Sequence, residues 1–171
     1  KGRAVTSEAH LQMLAQGICS LPAFVRPEVA GRMAESLLTR VDRMFSGAVR
    51  HNIYQEPEED PAFDGAHPRN RALSSVCRCL PDDEISEDEP LRTVYTWDPL
   101  ARFVSAVVNG PIENPPPLHR FADPLGALTV NVVMEGQEIA WHFDQAPFVV
   151  ILLLQNGERG GAYEVAPESR L

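Results

Sequence analysis

Residues 131–167 read NVVMEGQEIAWHFDQAPFVVILLLQNGERGGAYEVAP. β-Branched and apolar runs alternate here with Gly, Pro and Asp turns at short intervals, which is typical of short strands with tight connections. Together with the residues just before it, this stretch predicts strands at 128–134, 138–142, 148–155 and 162–165. Four such strands favour a β-sandwich or jelly roll over a parallel sheet with crossover helices.

The chain ahead of these strands predicts helices and loops. Helix signals lie at 7–16, 27–45 and 98–110, where Ser, Pro or Asp stands at the start and Gly follows the last turn. The region 55–90 is rich in Pro and acidic residues, so we predict that it forms long covering loops.

The length and composition allow one substantial core. A chain of 171 residues with 44% apolar residues lies in the single-domain range, so we expect one domain or part of one. Residues 1–117 are the predicted helical lead and covering loops, and residues 118–171 hold the predicted first strands of the sheet.

The charge and the apolar runs exclude some partners. The net charge is -9, with acidic clusters at 56–60 and 82–89, so phosphate backbones would be repelled and we expect no nucleic-acid partner. The longest apolar run spans seven residues, too few to cross a bilayer, and no leader pattern precedes it.

An odd number of cysteines favours free thiols in a reducing cytoplasm, at Cys19, Cys77 and Cys79.

The tripeptide His142-Phe143-Asp144 lies between a predicted strand and a turn. Residues two apart in an extended chain point to the same face, so the His142 imidazole and the Asp144 carboxylate can converge on one ion. Such a pair suits Fe(II) and supplies two corners of a two-His, one-carboxylate facial triad. The pattern predicts a metal site at these two residues; a surface hydrogen bond between them is the alternative.

The whole stretch 131–167 resembles the metal-binding core of the Fe(II)/2-oxoglutarate-dependent oxygenase superfamily. Its pieces fall in that family's order: a strand with Asn131, a turn with Gly136, the strand with Trp141-His142-x-Asp144, an apolar strand and a Gly160-Gly161 turn. The series WHFD, FVV, a leucine-rich strand and GG is similar to the branch of small-molecule and amino-acid hydroxylases that is related to the amino-acid halogenases. The resemblance covers residues 118–167.

The resemblance implies an α+β fold in which N-terminal helices precede a double-stranded β-helix of the jelly-roll or cupin-like kind. It implies that His142 and Asp144 are the first two iron ligands, and that Asn131 hydrogen-bonds 2-oxoglutarate. Relatives often have Tyr two positions after this Asn, where the present chain has Val133. A strand Asn that pairs with nearby backbone is the alternative for Asn131.

The implied activity is hydroxylation of an unactivated carbon in a small molecule, with a free or N-substituted amino acid as the expected substrate. Fe(II) is the implied metal, and 2-oxoglutarate and dioxygen are the implied co-substrates. In halogenating relatives a small residue replaces the carboxylate ligand and leaves an iron position for chloride. Because this chain keeps Asp144, we expect hydroxylation.

The third iron ligand and the basic partner of 2-oxoglutarate have no candidates in this sequence. The 27 residues after Asp144 contain no His, and Arg159 and Arg170 come too early for the basic role. We therefore expect the jelly roll to be incomplete at its C-terminus. The natural protein is expected to continue for roughly 60 to 100 residues, on the size of one such domain, and to supply a His and then an Arg.

Two other functions compete with the oxygenase. One is a non-catalytic jelly-roll module that binds a metal or another ligand, and the other is a cupin-type metal isomerase, which would need more histidines than this stretch offers. The remaining histidines are predicted to be surface or capping residues: His10, His51, His67 and His119. The sequence leaves the oligomeric state open.

Overall fold

The computed structural model describes residues 2–110 and 112–169. These residues form an α+β chain, which confirms the predicted class. The helices are α1 (Gly2–Gln16), α2 (Pro27–Leu38), α3 (Pro90–Thr96) and α4 (Asp98–Asn109). The strands are β1 (Phe45–His51), β2 (Leu73–Leu80) and β3 (Val130–Val132). Short 3-10 turns lie at Val41–Arg43, Pro68–Asn70 and Asp82–Glu84.

Two helices end at the glycines that the sequence indicates. α4 confirms the helix predicted at 98–110 and ends at Gly110, whose φ is 90°. α1 ends before Gly17, whose φ of 68° favours glycine, but it begins at Gly2 and not at residue 7. The predicted N-cap Ser7 therefore lies inside the helix.

α2 begins at Pro27 as predicted but ends at Leu38, so the prediction that it extends to residue 45 is wrong. The Thr39 hydroxyl donates to the carbonyl of Ser36 at 2.6 Å, and the Arg40 N–H donates to the carbonyl of Leu37 at 3.1 Å. Such side-chain and i to i+3 bonds replace the next α-helical turn, because Thr offers the backbone an alternative partner.

The sheet is antiparallel, with β2 between β1 and β3. β1 pairs with β2 along its full length, from Phe45 opposite Cys79 to His51 opposite Leu73. β3 pairs with the C-terminal end of β2, where Asn131 also lies opposite Cys79. Side chains of directly opposed residues share a sheet face, so His51 and Asn131 lie on the same face.

Two predictions about strands are wrong. Residues 73–80, assigned to covering loops, form the central strand, and only 130–132 of the predicted strand residues are in a strand. A strand needs a neighbour for its backbone groups, and no ladder partner for 138–142, 148–155 or 162–165 lies in the described part of the chain. The structure therefore has a small three-stranded sheet in place of the four successive strands predicted.

The described chain divides into two compact units. One combines the segment up to residue 33 with 81–129 and the segment from 162 onward, and the other combines 34–80 with 130–161. The first unit has α1 packed on α4. The second contains the sheet and the predicted metal ligands, and its core residues include Leu37, Met44 and Leu80. None of the helices described here has the length and apolar character to cross a membrane.

Candidate metal centre

The segment 138–144 carries the predicted ligands beside β2 without forming a strand. The N–H of Val76 donates to the carbonyl of Glu138 at 2.7 Å. The N–H of Ala140 donates to the hydroxyl oxygen of Ser75 at 2.9 Å. One backbone bond and one side-chain bond therefore attach the start of this segment to the central strand.

The structure brings His142 and Asp144 together. Nε2 of His142 lies 3.5 Å from Oδ1 of Asp144, and the side chains are 28% and 43% exposed. A first-row divalent ion holds N and O ligands at about 2.1 Å, which puts neighbouring ligands of one ion about 3.0 to 3.4 Å apart. A small side-chain adjustment would let both atoms reach one ion.

The His142 ring is held in one tautomer. Its Nδ1 lies 2.7 Å from the carbonyl oxygen of Ala140. A carbonyl oxygen only accepts, so Nδ1 carries the proton, and the neutral ring has its free lone pair on Nε2, which faces Asp144. Metal-ligating histidines commonly donate their other N–H to a carbonyl in this way. Nε2 of His142 and a carboxylate oxygen of Asp144 thus lie side by side, an arrangement that a cation or a proton between them would stabilise.

Phe143, the residue between the two ligands, is held by the loop 52–56. Its N–H donates to the carbonyl of Ile53 at 2.7 Å, and its carbonyl accepts from Nε2 of Gln55 at 2.8 Å. Its ring centroid lies 5.2 Å from that of Tyr54. The loop therefore fixes the middle of the tripeptide while both ligand side chains remain accessible.

The loop 52–56 owes its shape to the buried Asn52. Oδ1 of Asn52 accepts from the N–H of Tyr54 at 2.8 Å and from the N–H of Glu56 at 3.2 Å. Gln55 has a φ of 63°, and the Arg69 guanidinium lies 4.1 Å from the centre of the Tyr54 ring. An Asx-type turn and a cation–π contact thus hold the surface on which the tripeptide rests.

His51 was predicted to be a surface or capping residue, and that prediction is wrong. It is 6% exposed, and its ring centroid lies 6.3 Å from that of His142, edge to face. Nδ1 lies 2.7 Å from the carbonyl oxygen of Asn52, and Nε2 lies 2.7 Å from Oγ of Ser75. No local pattern reveals this burial, because it depends on the pairing of β1 with β2 and on a segment far along the chain.

Asn131 lies in the middle of β3 and is exposed. Its side chain makes no hydrogen bond with any residue that the structure describes. The structure therefore brings together the two predicted metal ligands, and it places the predicted 2-oxoglutarate residue at an exposed position of β3.

The remaining histidines have structural or solvent-facing positions. His67 caps the turn Pro68–Asn70, and its side chain accepts from the N–H of Arg69 at 3.2 Å, as a capping role predicts. His119 is exposed. His10 is half-buried, and its Nδ1 lies 2.7 Å from the carbonyl oxygen of Val107.

Across 2–110 and 112–169, no group of three or more His, Cys, Asp or Glu side chains is arranged to hold a metal ion. A facial triad that includes His142 and Asp144 would therefore need a further protein donor. Comparison of the chain with protein-family models, with curated proteins and with solved structures found no match.

Proposed function

We propose that His142 and Asp144 are two ligands of the iron site of an Fe(II)/2-oxoglutarate-dependent oxygenase. One observation carries the proposal: Nε2 of His142 lies 3.5 Å from Oδ1 of Asp144, while Nδ1 of the same ring lies 2.7 Å from the Ala140 carbonyl oxygen. A neutral imidazole and a carboxylate on one open face are the donor types that suit Fe(II). The proposal includes the double-stranded β-helix implied by the sequence resemblance.

The proposed reaction is hydroxylation of an unactivated carbon in a small molecule, with a free or N-substituted amino acid as the proposed substrate. Bound Fe(II) would supply open coordination positions for 2-oxoglutarate and dioxygen, with succinate, carbon dioxide and the hydroxylated substrate as products. The Asp144 carboxylate would occupy the iron coordination position that chloride takes in halogenating enzymes. Asn131 would donate its amide N–H to 2-oxoglutarate.

Anaerobic Fe(II) titration by calorimetry tests the ligand assignment. His142→Ala and Asp144→Ala should each lower the affinity by at least about tenfold, because each removes a donor from the ion. The matched controls are His119→Ala and Asp83→Ala, at exposed positions outside the site. Equal affinities in all five proteins, the unmodified chain included, would refute the assignment.

Oxygen-dependent formation of succinate tests the activity. The natural full-length protein, loaded with Fe(II) and supplied with ascorbate and 2-oxoglutarate, should release succinate, and an amino-acid panel should identify the substrate that increases it. Iron binding at His142 and Asp144 without succinate would reject the oxygenase. That result would favour the second candidate, a non-catalytic metal-binding module.

A further inference from the structure

A line of hydrogen bonds joins the buried His51 ring to the His142 ring. His51 Nδ1 lies 2.7 Å from the Asn52 carbonyl oxygen, and His51 Nε2 lies 2.7 Å from Oγ of Ser75. The same Oγ accepts from the N–H of Ala140 at 2.9 Å, and the Ala140 carbonyl oxygen lies 2.7 Å from Nδ1 of His142. All of these groups belong to one compact unit.

Each hydrogen bond in this series can be assigned one donor and one acceptor without conflict. The Asn52 carbonyl only accepts, so Nδ1 of His51 donates, and Nε2 of the neutral ring is an acceptor for the Ser75 hydroxyl. The Ser75 oxygen keeps a lone pair for the Ala140 N–H. The Ala140 carbonyl then accepts from Nδ1 of His142, so that each hydrogen atom has one acceptor.

Ala140 connects these hydrogen bonds to the proposed metal ligand, because its N–H donates to Ser75 and its carbonyl lies beside Nδ1 of His142. Its N–H and its carbonyl belong to the two peptide groups that flank its α-carbon, so the two hydrogen bonds fix both peptide planes. Segment 138–142 has no strand ladder in the structure. β2 supplies a backbone donor, the N–H of Val76, only at Glu138, and the Ser75 hydroxyl supplies the acceptor that the Ala140 N–H would find on a neighbouring strand of a regular sheet.

We infer that Ser75 and His51 are positioning residues that hold Ala140, and thereby fix the tautomer and direction of His142 before a metal binds. The inference rests on the proposed metal site. His51 holds the Ser75 hydroxyl in the direction that leaves its lone pair for Ala140, and its ring packs edge-on against His142. A ligand that is already oriented loses less conformational freedom when the ion arrives, so metal affinity rises.

The test uses the metal-free protein and compares Ser75→Ala with Ser74→Ala, an exposed neighbour on β2, and with Ser75→Thr, which keeps the hydroxyl. Nitrogen-15 NMR reports the His142 tautomer, and hydrogen exchange reports the protection of the Ala140 amide. We expect Ser75→Ala to speed exchange at Ala140 by about tenfold or more and to mix the two His142 tautomers. Ser74→Ala should preserve both signals, and Ser75→Thr should restore them.

An unchanged tautomer and unchanged Ala140 exchange in a folded Ser75→Ala protein would overturn the inference. Covalent labelling of Ser75 by a fluorophosphonate would also overturn it, because the Ser75 and His51 pair would then be a nucleophile and its base. Fe(II) titration separates the two proposals: affinity should fall about tenfold in Ser75→Ala. If the NMR signals change but the unmodified protein binds no Fe(II), the iron site is refuted and the positioning role remains.

Discussion

Leu37 and Leu38 are consecutive residues of α2, yet Leu37 is 2% exposed and Leu38 is 38% exposed. The same Leu→Ala substitution at these two positions distinguishes the effect of core packing on stability from the effect of helix propensity. Leu37→Ala should lower the free energy of unfolding by about 2 to 5 kcal/mol through lost burial and a cavity. Leu38→Ala should cost less than about 1 kcal/mol. Urea denaturation measures both, and equal losses would contradict the assigned core.

The bond from Gln55 to the Phe143 carbonyl predicts a change in metal affinity without a change in ligands. Gln55→Ala removes one hydrogen bond from the tripeptide backbone, worth about 0.5 to 1.5 kcal/mol, so Fe(II) affinity should fall by about two- to tenfold. Calorimetry measures this, with the exposed Gln155→Ala as the control. A larger loss for the control than for Gln55→Ala would rule out a role for loop 52–56 in holding the site.

Asn131 is proposed to bind 2-oxoglutarate and not iron, so a substitution there should change one binding affinity and not the other. Asn131→Ala should weaken 2-oxoglutarate binding by about tenfold, because one hydrogen bond to a charged group is worth about 1.5 to 3 kcal/mol. Fe(II) affinity should stay the same. Asn156→Ala, at an exposed position outside β3, is the matched control. Unchanged 2-oxoglutarate affinity in Asn131→Ala would end the assignment.

The thiols of β2 predict that the free energy of unfolding depends on pH. Burial raises the pKa of Cys77 and of Cys79 above the ordinary 9.0, and the nearby Cys77 raises that of Cys79 further. The folded state binds these protons more tightly than the unfolded chain, so their contribution to stability is full below pH 9.0 and is lost as the pH rises above it.

Alkylation by iodoacetamide checks this shift, because the reagent attacks the thiolate. At about pH 8, Cys77 and Cys79 should react more slowly in the folded protein than in urea, and the difference should shrink as the pH rises above 9.0. Peptide mapping by mass spectrometry follows each thiol separately. A rate ratio that stays constant with pH would show that access, and not the pKa, controls the reaction.

The fold was predictable where local chemistry decides the structure. α4 carries Asp98 and Pro99 in its first turn and Gly110 at its end, and these residues act within one turn of the chain. β2 could not be predicted in the same way, since Leu73–Leu80 mixes Ser, Cys and Arg with apolar residues and becomes a strand through partners on both sides. Strand formation depends on distant segments, which one-dimensional patterns do not report.

The proximity of the two proposed ligands was predictable for the same reason, because it too depends on neighbouring residues. His142 and Asp144 are two residues apart, so their proximity follows from their spacing. His51 lies 91 residues before His142, and its line through Ser75 and Ala140 depends on the register of β1 with β2. A spacing rule therefore finds the close pair His142 and Asp144 but misses the distant residues that hydrogen-bond around it.

The run 148–154 has consequences for the behaviour of the protein in concentrated solution. It reads FVVILLL, without a charge or a proline, and Val150, Ile151 and Leu153 are each more than half exposed. Seven-residue segments of this kind are the sequence signature of cross-β stacking between chains. Self-association should therefore begin by nucleation, with a lag that shortens as the protein concentration rises. A single lysine at Val150 would act as a gatekeeper and lengthen that lag.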